Sequence, residues 1–309
     1  VKPILGVVGA TGSGKTALAI ALAQRLGLEI LSADSMQFYR GMEIGTAAPT
    51  MEERAQAPHH FVAFLSPDAY MSASDYAAMA RAKLEALEQA DGMEEKKFSA
   101  IVCGGSGLYV SALINGLFEG PGRDEAVRAR LQAEAQQLGA GPLFARLRTV
   151  DPGYAAALTS SNDLIRIVRA LEVYEVTGRP YSAWHAEHQA SRDTLEARLF
   201  ALDWPREVLY ARINRRVVQM VEQGWVDEVR ALVAAGYEAD LSRLKALGYR
   251  EIAAYLRGEQ SLEEAIALTQ MHHRRYAKRQ LSWFRNVMPV AWVPAGGCEE
   301  MAENIIGRL

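Results

Sequence analysis

The run Gly9-Ala10-Thr11-Gly12-Ser13-Gly14-Lys15-Thr16 follows an apolar stretch from Pro3 to Val8 and opens an alanine- and leucine-rich segment, Ala17 to Leu26, that stops at Gly27. Strand, glycine loop and helix in that order make a phosphate cradle. Glycines let successive backbone N–H groups converge on an oxyanion, Lys15 adds a point charge, and the Thr16 hydroxyl can hold Mg²⁺. The pattern predicts an α/β protein with a parallel sheet flanked by helices, binding a di- or triphosphate. Kinases, NTPases and some non-nucleotide transferases share such a loop, so it leaves the reaction open.

At 309 residues the chain has room for a large core and a second, smaller one. Half the residues are apolar and 23% are charged, the composition of a soluble globular protein. A net charge of −3 argues against a generally basic nucleic-acid coat and leaves a local basic face open. Cys103 and Cys298 lie far apart without metal-ligand spacing, so neither a disulfide framework nor a zinc site is expected, and a reducing cytoplasm fits. No apolar stretch approaches the ~18 residues of a membrane span, and no basic leader precedes the first strand, so neither secretion nor membrane spanning is expected.

Glu29 to Asp34 reads as a second buried strand ending in a carboxylate, which sits near the phosphate loop if the first two strands are neighbours. A polar connection from Ser35 to Ala47 follows, then Pro58-His59-His60, where adjacent histidines without a third ligand point to a structural role. Ser74 to Ala90 is an amphipathic helix, and Ala100 to Cys103 a third strand that runs into Gly104-Gly105-Ser106-Gly107. That strand lacks the acidic end with which NTP-hydrolysing P-loop proteins hold Mg²⁺.

The texture then changes. Gly120-Pro121-Gly122 reads as a hinge, with helical segments around Glu125–Leu138, Pro142–Arg148, Pro152–Leu158 and Leu164–Val176, dotted with arginines suited to phosphate contacts. Strand pattern returns at Ala197 to Leu202. Asp203-Trp204-Pro205 reads as a cap before a helix carrying Arg212 and Arg216 one turn apart. Leu244 to Arg250 reads as a loop with a cation on each side of a glycine. A last helix runs through His272-His273-Arg274-Arg275-Tyr276-Ala277-Lys278-Arg279-Gln280-Leu281-Ser282-Trp283-Phe284-Arg285. Basic residues interleaved with aromatics there suit an RNA backbone and unstacked bases.

Together these stretches resemble the tRNA dimethylallyltransferases, also called tRNA isopentenyltransferases. The resemblance rests on GATGSGKT, SADSMQFYRGMEIGTAAP with PHHF, VCGGSGLYVSAL, NDLIRIVRALEVYEVTG, RINRRVVQM with GWVDEV, LGYRE and RRYAKRQLSWFR, in that order over almost the whole chain. Gly12 stands where the family often has alanine, and Ser106 where threonine is usual, keeping the hydroxyl.

The resemblance implies transfer of a dimethylallyl group from dimethylallyl diphosphate to N6 of adenosine 37, beside the tRNA anticodon. It implies a kinase-like P-loop core over 1–119 and 193–309 and an inserted, all-helical tRNA-binding domain over 120–192. Asp34 matches the family's general base, Arg216 its pyrophosphate-binding arginine, and Thr11 a threonine donating to the departing oxygen. Gly9 to Thr16 would bind the diphosphate, with Mg²⁺ on Thr16. Asp34, Ser35, Met36, Gln37, Ser106, Arg128, Ile165, Arg166, Ile167, Val168, Arg169, Lys245, Gly248, Tyr249 and Arg250 would face the tRNA anticodon stem-loop. The basic helix adds Arg274, Arg275, Lys278 and Arg279. A cytoplasmic monomer is expected. The rival readings are a small-molecule or nucleotide kinase, a non-catalytic RNA-binding protein, and an isopentenyltransferase acting on free adenylate.

Overall fold

Strand β1 (Ile4–Val8) is buried at every position, as an unbroken apolar run in a sheet covered on both faces must be. Ile4 and Val8 join one core cluster, Leu5 and Val7 another, so the strand's alternation feeds both faces. The computed structural model describes residues 1–90, 95–117, 120–190 and 194–309, without the side chains of 188–190.

The chain continues through α1 (Lys15–Leu26), β2 (Ile30–Ser32), α2 (Met51–Gln56), β3 (His59–His60), α3 (Ala73–Glu88), β4 (Ile101–Gly104) and α4 (Gly107–Asn115). Helices α5 (Glu125–Leu138), α6 (Ala140–Val150), α7 (Pro152–Ala157), α8 (Leu164–Thr177) and α9 (Tyr181–Ala190) follow. Then come β5 (Ala197–Asp203), α10 (Arg206–Glu222), α11 (Trp225–Ala234), α12 (Glu238–Leu244), α13 (Tyr249–Leu256), α14 (Leu262–Val287), β6 (Ala291–Pro294) and α15 (Cys298–Ile306). Among the elements that the sequence patterns above do not mark are α2, α4, α9, α12, β6 and α15.

The sheet has six parallel strands in the order β3-β2-β4-β1-β5-β6. Strands β1 and β2 are therefore not neighbours. Strand β4 lies between them, its Ile101 opposite both Leu5 and Ile30. Asp34 still reaches the phosphate-loop edge, because the chain leaving β2 crosses over the end of β4. Ala33 donates its N–H to Cys103 O at 2.8 Å and accepts from Ser106 N–H at 3.2 Å. A Cβ on Gly104 would lie 2.2 Å from Ala33 O, so that crossing requires glycine where an NTPase would carry its acid.

One cluster packs Leu18 and Leu22 of α1 with Met301 and Ile305 of α15 against Leu5, Ile30, Ile101 and Phe200. The larger cluster joins residues of α3, α4, α10, α11, α13 and α14 to Ile4, Val8, Leu31 and Val102. Each fully buried leucine or isoleucine here contributes about 1.5–3 kcal/mol by leaving water. Two local expectations change. Asp203 ends β5, and the N-cap of α10 is Pro205 with no side-chain bond. The segment 244–250 is not one loop: Lys245, at φ 56°, closes α12, and Tyr249 and Arg250 begin α13.

The chain forms two compact units, Val1–Asn115 with Thr194–Leu309, and Gly116–Asp193. The second unit starts ahead of the Gly120-Pro121-Gly122 turn, and the expected boundary at 192/193 falls outside the described residues. Its core is Leu131, Leu143, Leu147, Ile167 and Leu171. Beside that core Glu172 is fully buried. It accepts from Arg128 at 2.5 Å and from Asp124 N–H at 2.8 Å, with Arg169 Nη1 at 3.3 Å. Arg169 also donates to Pro121 O at 2.9 Å, so this one carboxylate ties α5, α8 and the entry segment. Glu172→Ala is expected to destabilise the helical unit by about 3–5 kcal/mol, because two arginines lose their counter-charge. Amide exchange should accelerate across 124–177 and stay unchanged in β1 and β4; equal protection in both proteins would contradict this.

Candidate active site

The phosphate loop owes its shape to glycines in the left-handed region, Gly9 at φ 122° and Gly14 at φ 97°, where side chains are strained. Its carbonyls are occupied by side chains. Lys15 Nζ and Ser13 Oγ both donate to Ala10 O, at 2.6 and 2.8 Å. Trp204 Nε1 donates to Ser13 O at 2.8 Å, and Arg212 Nε to Gly12 O at 3.0 Å, while the Arg212 guanidinium stacks on the Trp204 ring at 4.4 Å. Ser13 is buried, which makes its side chain a brace for the loop.

The loop opens onto a cleft of about 850 Å³, lined by Thr11, Gly12, Gly14, Lys15, Thr16, Asp34, Gln37, Cys103, Arg212, Arg215 and Arg216 among others. Gly9 and Ala10 lie buried beneath it. Burial pushes the Asp34 carboxyl above its ordinary range, against the pull of Lys15, the Met36 N–H and Arg216. Burial lowers Lys15, with Cys103 and Asp34 opposing and Arg216 adding to the shift. Burial also lowers Arg216, which at its high ordinary value stays charged. Cys103 is pushed up to about 11, a neutral thiol.

Arg216 Nη1 donates to Thr11 Oγ1 at 3.4 Å and Nη2 to Ala47 O at 3.3 Å. Ala47 sits at φ 47°, a conformation costing an alanine about 1–3 kcal/mol. The surroundings hold it there. Gln37 Nε2 donates to the same carbonyl at 3.2 Å and its Oε1 accepts from Ser32 Oγ at 3.0 Å. Behind the segment, Glu228 accepts from Ile44 N–H, Gly45 N–H and the Tyr249 hydroxyl at 2.7, 3.0 and 2.7 Å. Gly45 has no room for a side chain: a Cβ would lie 2.0 Å from Trp225 Nε1. Sequence reasoning did not single out Glu228, Trp225 or Gln280, each far along the chain from what it holds. The segment GWVDEV was the one signal pointing at the first two.

The residues expected at RNA divide by accessibility. Ser35, Met36, Gln37 and Asp34 cluster after β2, with Ser106 Oγ accepting from Ser35 N–H at 3.0 Å. Arg275, Lys278 and Arg279 form an exposed face of α14, whereas half-buried Arg274 donates to Asn214 Oδ1 at 2.6 Å. Tyr249 corrects the expectation: its side chain is fully buried and bonded to Met42 O and Glu228, out of reach of a ligand. Arg250 and Lys245 are exposed, and Gly248, at φ 87°, packs so closely on Trp225 that its role is steric. In the helical unit Ile165 (82% exposed) and Arg166 face solvent. Ile167 and Val168 are core residues, and Arg128 and Arg169 are held by Glu172, so these four also depart from an open contact surface. His59 and His60 are tied locally, to Ala57 O at 2.7 Å and Glu29 at 2.5 Å.

Sheet, loop and cleft define a P-loop α/β protein whose phosphate cradle shares its cleft with a half-buried carboxylate and several cations. Its residues 37–287 match the family model described as IPP transferase, and the chain belongs to that family. It is 49% identical over 301 residues to the tRNA dimethylallyltransferase of Anaeromyxobacter sp. (strain K), spanning 97% of this chain and 96% of that one. A full-length tRNA isopentenylpyrophosphate transferase from Bacillus halodurans superimposes with a TM-score of 0.68 at 36% identity, over 100% of this chain and 97% of its own. A eukaryotic dimethylallyltransferase acting on tRNA, 24% identical, has the same fold, with a TM-score of 0.80 over 100% of this chain and 77% of that one. The chain is thus a prenyl-transferring enzyme, and the kinase reading is not favoured.

Gly45→Ala drives a methyl group into the Trp225 indole and the Tyr249 hydroxyl, displacing the segment that offers Ala47 O to Arg216. Turnover is expected to fall about tenfold or more, since a misplacement worth roughly 1.4 kcal/mol in the transition state suffices. Steady-state assays with wild-type kcat would show that the segment does not set Arg216.

Proposed function

We propose that the protein transfers a dimethylallyl group from dimethylallyl diphosphate to the exocyclic N6 of adenosine 37 in tRNA, releasing diphosphate. The observation that carries this reading is the placement of Asp34 in one cleft with the phosphate loop, Lys15 and Arg216. The reaction needs those groups together. An aromatic amine is a weak nucleophile, so a carboxylate that accepts its proton as the C–N bond forms lowers the barrier. The allylic C–O bond breaks with its electron pair going to the diphosphate, whose growing charge falls on the loop N–H groups, Lys15 and Arg216. Thr11 Oγ1 accepts from Arg216, which aims its proton at the departing oxygen.

The donor set suits a Mg²⁺ carried mainly by the substrate, for the Thr16 hydroxyl faces the cleft and diphosphate oxygens and waters would complete the shell. Such an ion would screen the diphosphate's charge. The target base must leave the anticodon-loop stack to reach the cleft. The exposed Arg275, Lys278 and Arg279 face of α14 suits the RNA backbone, as does exposed Arg166 of the helical unit, while exposed Ile165 offers an apolar contact to an unstacked base. The protein would work as a cytoplasmic monomer; no helix of the described residues is long and apolar enough to cross a membrane.

Incubation with Mg²⁺, an anticodon stem-loop, and either labelled dimethylallyl diphosphate or γ-labelled ATP tests the reading. Label should reach the RNA from the allylic donor alone. Transfer from ATP without prenylation would reinstate a kinase. Asp34→Ala should leave stem-loop affinity nearly intact while cutting turnover about 10²-fold or more, and equal losses of both would make Asp34 a recognition residue.

The pH profile follows from the Asp34 shift. The carboxyl is raised above 3.8, so protonation switches the base off at a pH above that value as acidity increases. Arg216 pulls this group down, so Arg216→Gln should move the acid limb of kcat/KM to higher pH. A limb that stays put would assign it to another group.

A further inference from the structure

Gln280, on α14, is only 4% exposed and uses both ends of its amide on the active-site loops. Its Oε1 accepts from Thr11 N–H at 2.8 Å, and its Nε2 donates to Gly105 O at 2.9 Å. The fit is close enough to exclude a side chain opposite, for a Cβ on Gly105 would lie 2.1 Å from Nε2. One turn earlier on the same helix lies Tyr276, whose hydroxyl is raised by burial and drawn back down by neighbouring Ser106 and Gln280. Thr11 is thus held at two points, its N–H by Gln280 and its hydroxyl by Arg216. With its backbone fixed, Thr11 places its Oγ1 by χ1 alone, and on the reading above this oxygen would face the departing phosphate.

We propose that Gln280 is a positioning residue for the leaving-group side of the reaction, acting through Thr11 by fixing the backbone from which its hydroxyl is aimed. The proposal rests on the prenyl-transfer reading above. It makes α14 a helix with two duties on adjacent faces: an exposed basic face at Arg275, Lys278 and Arg279, and a buried amide that completes the phosphate loop. It also gives Gly105 its reason, since the donor end of the amide needs the carbonyl at that distance.

A double-mutant cycle separates this role from general support of the fold. Gln280→Met keeps length and volume and removes both bonds. Measured on the full chain with dimethylallyl diphosphate and an anticodon stem-loop, it should lower kcat about tenfold or more, with stem-loop affinity changed less than about twofold. In a Thr11→Val background, where the hydroxyl is already gone, the same substitution should change kcat less than about twofold. Wild-type kcat in the single variant, or the full loss repeated in the Thr11→Val background, would overturn the proposal. If Gln280→Met is recovered unfolded, Gln280→Asn, whose shorter chain withdraws the acceptor from Thr11, carries the same cycle with the same outcomes. An unsubstituted protein that prenylates no RNA would instead overturn the function reading.

Discussion

The Arg216 guanidinium joins the phosphate loop, through Thr11 Oγ1, to the segment after β2, through Ala47 O, and it lies within electrostatic reach of Asp34. Among the described residues no other side chain of the cleft makes both connections. Its position is costly in the free protein, because Lys15 and Arg212 crowd it with like charge and burial weakens the solvation of Lys15 and Arg216. Asp34 is the counter-charge closest to hand, and a diphosphate would supply the rest. Arginine suits this post better than lysine, whose pKa falls readily on burial, as that of Lys15 does.

Much of the remaining architecture keeps the two sides of that bridge in register. Helix α10 brings Arg216 and Arg212, and Trp204 ahead of it holds Ser13 O. On the other side, the Glu228 carboxyl is half-buried and burial raises its pKa, yet it accepts two backbone N–H groups and a tyrosine hydroxyl. A half-buried acid with three donors is a rigid clamp, since losing any one leaves a polar group unsatisfied. The left-handed Ala47 is the strained product of this clamp, and its carbonyl is what Arg216 and Gln37 read.

What the sequence made legible follows from how locally each feature is encoded. The phosphate loop, α1 with its Gly27 stop, and β1, β4 and β5 are set by contiguous glycines and apolar runs, and each stands within a residue or two of its expected place. The site's other half is assembled by long-range contacts. Nothing near Gln280 or Glu228 in the chain announces Thr11 or Gly45. The insertion of β4 between β1 and β2 depends on sheet order, which hydropathy does not carry. Tyr249 shows the converse: a motif position next to an exposed arginine looks available until helix α13 turns it into the core.

Cys103 and Asp34 are two proton-bearing groups in one cleft, and burial raises both. The consequences differ because their starting points differ. A thiol raised from 9.0 to about 11 is protonated at neutral pH and is a poor nucleophile, which would matter beside the proposed allylic donor, able to alkylate a thiolate. A carboxyl starting at 3.8 has room to rise, and Lys15 and Arg216 hold its ionised form open. On the proposed reaction, one environment would keep neutral the group able to divert the prenyl unit and strengthen as a base the group that directs it to the amine. Burial in one cleft sets both proton affinities, so proton transfer and leaving-group stabilisation would be properties of a single cavity.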